Sequence, residues 1–424
     1  MNVASVHVAP NPSPHARVLR ELPGAIAWNE FFARLDTIGR EAREQVGQED
    51  IQHLRRMEWV GRLCSVVGYA TAWLAPNPLS ALAISQGIVT RWLLMHHVGH
   101  QAYDNIPNIP ARYTSSHFAL GRRRFLDWFD WMLPEAWNYE HNRLHHYSLN
   151  ERHDPDLVQR NAAWLRNRPV PRWLGWMLIL LVAGSWKYFY YAPNTLAELE
   201  ARKRTAAVRK VSRNQSGRQA VPTDIDGPEV GAAYARRHFQ TLLRADVWLT
   251  CLLPYATLRF GLIPALFLPL GTWAWLSVLV NSVLAEILTN LHTFLVIVPN
   301  HVGDDMPSFE EPTASFREFQ IRQILGSVNY RTGGDWNDYW HMWLNYQIEH
   351  HVWPKLTMRG YQRVQPRLKA LCEEYGVPYI QQSVFTRMRR TCEVILGDTT
   401  MPHVTGQIAA HTSQSGSGEA PVPV

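Results

Sequence analysis

Five apolar runs punctuate a chain whose other segments are polar: residues 59–76, 79–100, 173–192, 246–269 and 270–298. Each is long enough for a helix that crosses a bilayer or lies in one. The turn Pro76-Asn77-Pro78 separates the first two. Ahead of them, residues 27–56 place Phe31, Phe32, Leu35 and Ile38 on one helical face, which predicts a single amphipathic helix. Residues 355–396 predict short amphipathic helices. Residues 1–20 read as a flexible leader, with Pro10, Pro12 and Pro14 where a signal peptide needs an apolar run. Residues 398–424 are rich in Ser, Gly, Pro and Thr and are expected to be disordered.

Charge sets the expected topology. Arg40, Arg43, Arg55, Arg56 and Arg62 precede or enter the first apolar run and assign that side to the cytosol. If all five runs crossed, the His-rich stretches between them would fall on opposite sides of the membrane. The run 173–192 is the one expected not to cross. It holds Trp173, Trp176, Trp186, Tyr188, Phe189, Tyr190, Tyr191 and Lys187, an interfacial composition. Arg202, Lys203, Arg204, Arg209, Lys210, Arg213 and Arg218 then keep the following segment cytosolic. Four crossings remain. The last run would be roughly 43 Å long as a straight helix, more than the roughly 30 Å of a hydrocarbon core, so its end should project towards the other histidines. The expected fold is an all-α integral membrane protein with about four transmembrane helices and a cytosolic helical cap. Its expected parts are a leader and amphipathic helix over 1–58, a membrane domain over 59–381 and a tail over 382–424.

Composition agrees. Of the 424 residues 46% are hydrophobic, yet mean hydropathy is −0.23, so polar caps must balance the apolar runs. The 18 Trp and 16 Tyr suit aromatic belts at a bilayer interface. A net charge of +6 favours anionic headgroups or an acidic protein partner over nucleic acid. Cys64, Cys251, Cys372 and Cys392 form no C-x-x-C pair, which argues against disulfides and Cys-ligated metal.

The candidate chemistry is imidazole. His96 and His100 stand at i, i+4 at the cytosolic end of the second run; alone they read equally well as interfacial histidines facing headgroups. His141 and His145 repeat the spacing, with His146 on a neighbouring face; alone they would suit a solvated polar helix. Gln347, His350 and His351 share one helical face, and the two histidines point about 100° apart, enough to reach two ions. All-imidazole sites suit zinc, copper, iron or nickel. Seven or eight imidazoles exceed what one ion takes and fit two. Two ions beside a membrane point to oxygen activation on an apolar substrate, and iron suits cleavage of strong C–H bonds. Asp154 and Asp156 are candidates to orient imidazoles from behind or to cap helices. Glu349 should form a structural salt bridge. Glu286, inside the last apolar run, should be functional or paired with another helix. His117, His153, His238, His292 and His341 are expected outside the site, with His292 the first reserve.

These stretches resemble the three histidine boxes of the membrane fatty acid desaturases: His96 to His100, His141-Asn142-Arg143-Leu144-His145-His146, and Gln347-Ile348-Glu349-His350-His351. The resemblance spans roughly residues 59–380. The box that begins with Gln is similar to the front-end and sphingolipid-type branch, as are Asn337-Asp338-Tyr339-Trp340 and the Asn150 and Asp154-Pro155-Asp156 that follow box two. The resemblance implies an O2-dependent enzyme that introduces a double bond into a fatty acyl chain at two iron ions. It implies His96, His100, His141, His145, His146, His350 and His351 as ligands, with His301 in Val298-Pro299-Asn300-His301 as the extra one. His97 stands where the branch often has Asp and ranks as an outer partner or spare ligand. Gln347 replaces a His and leaves one iron a weaker position that Asn300 and His301 make up. The branch's His-Pro-Gly-Gly signature of a fused cytochrome b5-type domain is absent, as is a G-x-G-x-x-G loop. Electrons are therefore expected from a separate ferredoxin or cytochrome b5-type protein, with Arg122, Arg123 and Arg124 as candidate contacts for it or for headgroups. The substrate is expected to be an acyl-lipid or acyl-CoA. Similar boxes also serve hydroxylation, ketolation and acetylenic-bond formation; a non-catalytic metal- or lipid-binding membrane protein is the other alternative.

Overall fold

The computed structural model describes residues 5–7, 26–211, 239–405 and 408. Arg213, Arg218, His238 and the tail beyond residue 408 lie outside them.

Helix α1 (Trp28–Glu44) buries Trp28, Phe31, Phe32, Leu35 and Ile38, as the spacing predicts. It packs against α12 (Met358–Tyr375), with Phe31 and Tyr375 edge to face at 5.7 Å. The single helix expected over 27–56 is two. The Asp50 carboxylate accepts the Gly47 N–H at 3.0 Å and starts α2 (Gln48–Ala72), which runs on into the first apolar stretch. Apolar periodicity continues across this break, so it does not register a cap.

Helices α2 and α3 (Pro78–Gly99) form a hairpin about the expected Pro turn. Asn77 accepts from Ser80 N at 2.8 Å and caps α3. A Cβ on Gly87 would stand 2.9 Å from the Gly61 carbonyl, so small residues let the two backbones approach. Asn281 ties the third partner to this turn, accepting from Asn77 N and donating to the Ala72 and Ala75 carbonyls, each at 2.9 Å. That partner is α8 (Thr272–Ile297), which extends through a tight turn, Val298–His301. Among the described residues two helical stretches, α7 (Ala245–Leu270) and Thr272–His301, are long and apolar enough to cross a membrane. Trp59, Leu63 and Val66 on α2, Leu79 on α3, Leu262 and Leu266 on α7 and Trp273 on α8 are all exposed. Single exposed apolar residues are ordinary, but a belt of them across four helices is not.

The run 173–192 contains α5 (Arg172–Ala183), whose 12 residues reach only about 18 Å. Its Trp173, Trp176, Leu180 and Leu181 are exposed. Lys187 departs from the interfacial reading. Its ammonium is fully buried, 2.7 Å from Asp130, and lies over the Trp92 ring.

Three short strands modify the all-α expectation: β1 (Ser5–His7), β2 (Ser308–Phe309) and β3 (His403–Thr405), in the order β1-β3-β2. β3 runs antiparallel to β1 and parallel to β2. Residues 5–7 and 403–405, which lie in segments expected to be a flexible leader and a disordered tail, are thus paired; strands of two or three residues carry no alternation that the sequence could show. The amphipathic helices expected over 355–396 are α12 and α13 (Val384–Leu396); the second, which falls in the part 382–424 set apart from the membrane domain, inserts Arg387, Cys392 and Val394 into the body.

Candidate metal centre

Each histidine reaches one buried point from a different element. His96 lies in the last turn of α3 and His100 at its C-cap. The second cluster follows α4 (Pro134–Tyr139), which continues as a widened π turn over Glu140–His145. There the His146 N–H bonds the His141 carbonyl at 3.1 Å, five residues back. The widening brings the His141 and His146 rings to 4.8 Å, so His141, His145 and His146 all face inward. His301 comes from the turn that ends α8, and His350 and His351 from α11 (Gln347–Val352).

The rings sort into two groups. His96, His100, His141 and His350 present ring nitrogens all within 4.8 Å of one another, and His145, His301 and His351 do the same. His146 stands between them, 4.4 Å from the His100 ring and stacked on His351 at 4.2 Å. His350 and His351, adjacent in sequence, enter different groups.

Outer partners fix the tautomers of the second group and of His350. His145 Nδ1 is 2.9 Å from Asp154, His301 Nδ1 3.0 Å from the Gly326 carbonyl, and His351 Nδ1 3.0 Å from Gln323 Oε1. Tyr361 donates its hydroxyl proton to the Pro354 carbonyl and so accepts from His350 Nδ1 at 3.0 Å. In each, Nδ1 donates, so Nε2 is the acceptor nitrogen that faces the interior; His351 Nε2 has no partner there, while His301 Nε2 meets the Gln347 amide nitrogen at 3.0 Å and His350 Nε2 meets His96 Nε2 at 2.9 Å. Burial, then the neighbouring imidazoles, hold His141, His146, His350 and His351 well below the usual histidine range, in the neutral ligand form. His145 differs. Burial lowers it, but the Asp154 carboxylate outweighs burial and raises it.

The donor set fits metal. Nε2 of His100 and His351, and both ring nitrogens of His141 and His146, are buried with no hydrogen-bond partner. An unsatisfied buried polar atom costs about 1–3 kcal/mol, and these converge on the same interior. A cation there satisfies several at once.

Beside the histidines lies a cavity of about 670 Å³. Trp92, Trp137, Trp186, Tyr191 and Phe294 line its interior, and His96, His141, His145 and His301 stand on its wall. Its exposed rim is apolar, with Leu181, Val182, Phe189 and Phe239.

Sequence comparison decides which protein family builds this arrangement. The fatty acid desaturase family profile matches residues 71–383, well over half of the chain. The chain belongs to the fatty acid desaturase family. It is 25% identical over 380 residues to the NADPH-dependent stearoyl-CoA 9-desaturase of Mycobacterium tuberculosis, covering 85% of this chain and 77% of that protein. It is 23% identical over 306 residues to the Delta(5) fatty acid desaturase A of Dictyostelium discoideum, covering 69% and 56%. A shorter match, 39% over 56 residues, links it to the acyl-lipid (8-3)-desaturase of Rebecca salina, 13% of each chain. No solved structure gives a significant match.

Within this desaturase the remaining sequence candidates separate. His97 turns away from both groups and donates to the Met342 carbonyl at 2.8 Å. His292, the first reserve, instead bonds the Trp340 carbonyl at 2.8 Å. One end of the Gln347 amide is 3.0 Å from His301 Nε2; the other, Oε1, is buried without a partner. Asn300 Nδ2 donates to the Val296 and Leu344 carbonyls, and its Oδ1 is unpartnered. Asp156 groups with His141 and His145 on the cavity wall, and burial raises its carboxyl to about 6. Glu349 makes no salt bridge. It accepts from Asn329 at 2.8 Å and Tyr379 at 2.7 Å, and burial raises its carboxyl to about 7. Glu286 accepts from Trp131 at 2.7 Å and Tyr255 at 3.2 Å, so it joins a neighbouring helix to a loop. Arg123 pairs with Asp127 and Arg124 sits over Phe129, which leaves Arg122 as the exposed member of that basic triplet. Sequence reasoning missed Gln323 and Tyr361, the outer partners of His351 and His350. Neither has a telling spacing. Asp338 was visible only through its four-residue motif. It is buried and accepts from Gly333 N, Asn345, Tyr346 and Gln362 at 2.6–3.1 Å, bracing the corner that leads into α11.

Proposed function

We propose that this desaturase holds two iron ions and uses O2 to convert one C–C single bond of an acyl chain to a double bond. His96, His100, His141 and His350 would hold one ion and His145, His301 and His351 the other, with His146, which also groups with His350 and His351, as a further ligand beside both. Gln347 and Asn300 stand by the second. The observation that carries this reading is the pair of buried groups of converging imidazole nitrogens beside an apolar cavity. The irons supply the reduction of O2 to an oxidant able to take two hydrogens from adjacent carbons. In balance, those two hydrogens, two electrons and two protons reduce O2 to two waters. The chain's own residues do the rest. Trp92, Trp137 and Phe294 exclude water and confine the acyl chain. Asp154, Gln323, Tyr361 and the Gly326 carbonyl keep the imidazoles oriented through their Nδ1 atoms.

The membrane reading is four crossings, by α2, α3, α7 and α8, with both histidine groups on the cytosolic side. The two span-length helices, the exposed apolar belt and the basic Arg202, Lys203 and Arg204 on α6 (Ala192–Val211) support it. Residues 59–381 form the membrane desaturase domain in this reading. The apolar rim lets an acyl chain slide in from the bilayer, carried by CoA or by a lipid; relatives named for each carrier match the chain. Electrons come from a separate ferredoxin or cytochrome b5-type protein.

The test is the fatty acid profile of a host with and without the protein, by mass spectrometry, beside a His350→Ala control. A new double bond that the control lacks is expected. A hydroxylated or ketolated product in its place, or an unchanged profile from protein that carries two irons, refutes the desaturation step.

A further inference from the structure

The turn that presents His301 has no cap of its own. No side chain caps Val298–His301 at its start, and the chain leaves it extended at Val302. The Val328 N–H holds the Asn300 carbonyl at 3.0 Å and the Asn300 amide reaches the Leu344 carbonyl at 3.2 Å; a residue distant in sequence adds a charged grip. Arg387 on α13 is fully buried and spreads its guanidinium beneath the turn. Nη2 donates to the Val302 carbonyl at 2.6 Å and Nε to the Pro299 carbonyl at 3.4 Å, gripping the backbone on both sides of Asn300-His301. Nη1 donates to both Asp305 oxygens, at 2.7 and 2.8 Å. Gly303 leaves room for this, since a Cβ there would collide with Nη2. Arg390, one turn on, pairs with Asp304 and lies 3.6 Å from Asp305. Val302, Met306, Val328 and Val394 close an apolar shell around the grip.

We propose that Arg387 is the positioning residue for His301, so that the C-terminal helix is a working part of the metal centre although the family match ends at residue 383. A guanidinium suits the task because its planar fork serves a carboxylate and two carbonyls together; an ammonium is one point of charge and cannot. His301 must hold Nε2 toward His145 and His351, whose rings are 5.0 and 4.6 Å away. Its own outer bond, to the Gly326 carbonyl, fixes ring rotation but not the height of the turn. The neutral bonds of Asn300 hold the middle of the turn, and Arg387 holds the carbonyls on both sides of Asn300-His301, which sets the height at which His301 leaves the turn. The same helix places Ile395 in the cavity lining, so a shift of α13 reaches both metal and substrate.

The inference rests on the reading of His301 as a metal ligand, and the test separates the two. Wild type, His301→Ala, Arg387→Lys, Arg387→Met and Gly303→Ala are purified in detergent. Iron per chain, loss of iron to a chelator and the Mössbauer spectrum of the iron are measured, with size-exclusion elution as the check on folding. Two irons in wild type and about one in His301→Ala are expected. Arg387→Lys and Gly303→Ala should elute as wild type, give up one of the two irons about 10–100-fold more readily, and alter one of two iron signals. Arg387→Met should match His301→Ala. Wild-type iron retention in Arg387→Lys and Gly303→Ala, while His301→Ala loses one ion, overturns the positioning role. Two irons in His301→Ala overturn the ligand reading and the inference with it. If Arg387→Met does not fold, the Lys and Gly303→Ala variants decide.

Discussion

Replacing Asp154 by Asn tests the outer support of the second histidine group. Asp154 is fully buried and accepts three bonds, each at 2.9 Å: His145 Nδ1 and Asp156 N at Oδ1, and Asn150 N at Oδ2. The amide can keep Oδ1 for His145, but its NH2 then faces the Asn150 N–H, donor against donor. That unsatisfied pair should cost about 1–3 kcal/mol of folding stability. The charge is lost as well, so His145 loses the partner that raises its proton affinity and with it part of its basicity towards metal. Loss of such a partner typically weakens metal binding 10–100-fold, or about 1.4–2.7 kcal/mol. The assay is chelator competition on purified protein, read as iron retained per chain. One iron should leave early in Asp154→Asn while the other, proposed to sit among His96, His100, His141 and His350, leaves as in wild type. Retention of both irons within twofold of wild type would refute the argument that Asp154 acts through His145.

Three further predictions come from buried polar groups. Lys187→Met should destabilise by about 3–5 kcal/mol, because it strands the fully buried Asp130 carboxylate; the double variant Lys187→Met/Asp130→Leu should recover most of it, and equal melting losses in both would count against the pairing argument. Burial pushes the Glu151 carboxyl up from 4.5 to about 7 against the pull of Arg322. The folded state therefore binds the extra proton between those values, and stability should fall by up to about 3 kcal/mol as pH rises from 4.5 to 7; Glu151→Gln should flatten that slope in thermal melts. Asp338→Ala frees the corner before α11, where Met342 and Trp343 take positive φ angles of 46° and 61°; product formation should drop at least tenfold with a melting shift of a few degrees, and undiminished turnover would remove Asp338 from the support of His350 and His351.

The mainly helical fold, its apolar runs and the histidine stretches that converge in the interior were legible in the sequence, because apolar runs and i, i+4 spacings are local signals. What misled was equally local. Lys187 reads as an interfacial charge until Asp130, 57 residues away, is seen beside it, and Glu349 reads as a salt-bridge former until Asn329 and Tyr379 are.

The sequence by itself determined which chemistry is present: eight imidazoles, an apolar environment and no cysteine pair to compete for metal. Only the tertiary structure decided how those imidazoles divide. That His350 joins His96, His100 and His141, while His351 joins His145 and His301, depends on the widened turn at Glu140–His145, on the corner braced by Asp338 and on the height of the Val298–His301 turn. The physical reason is range. Spacing along one helix determines which side chains share a face, whereas distances between helices are set by buried partners such as Asp338, Gln323, Tyr361 and Arg387, whose positions in the chain carry no pattern.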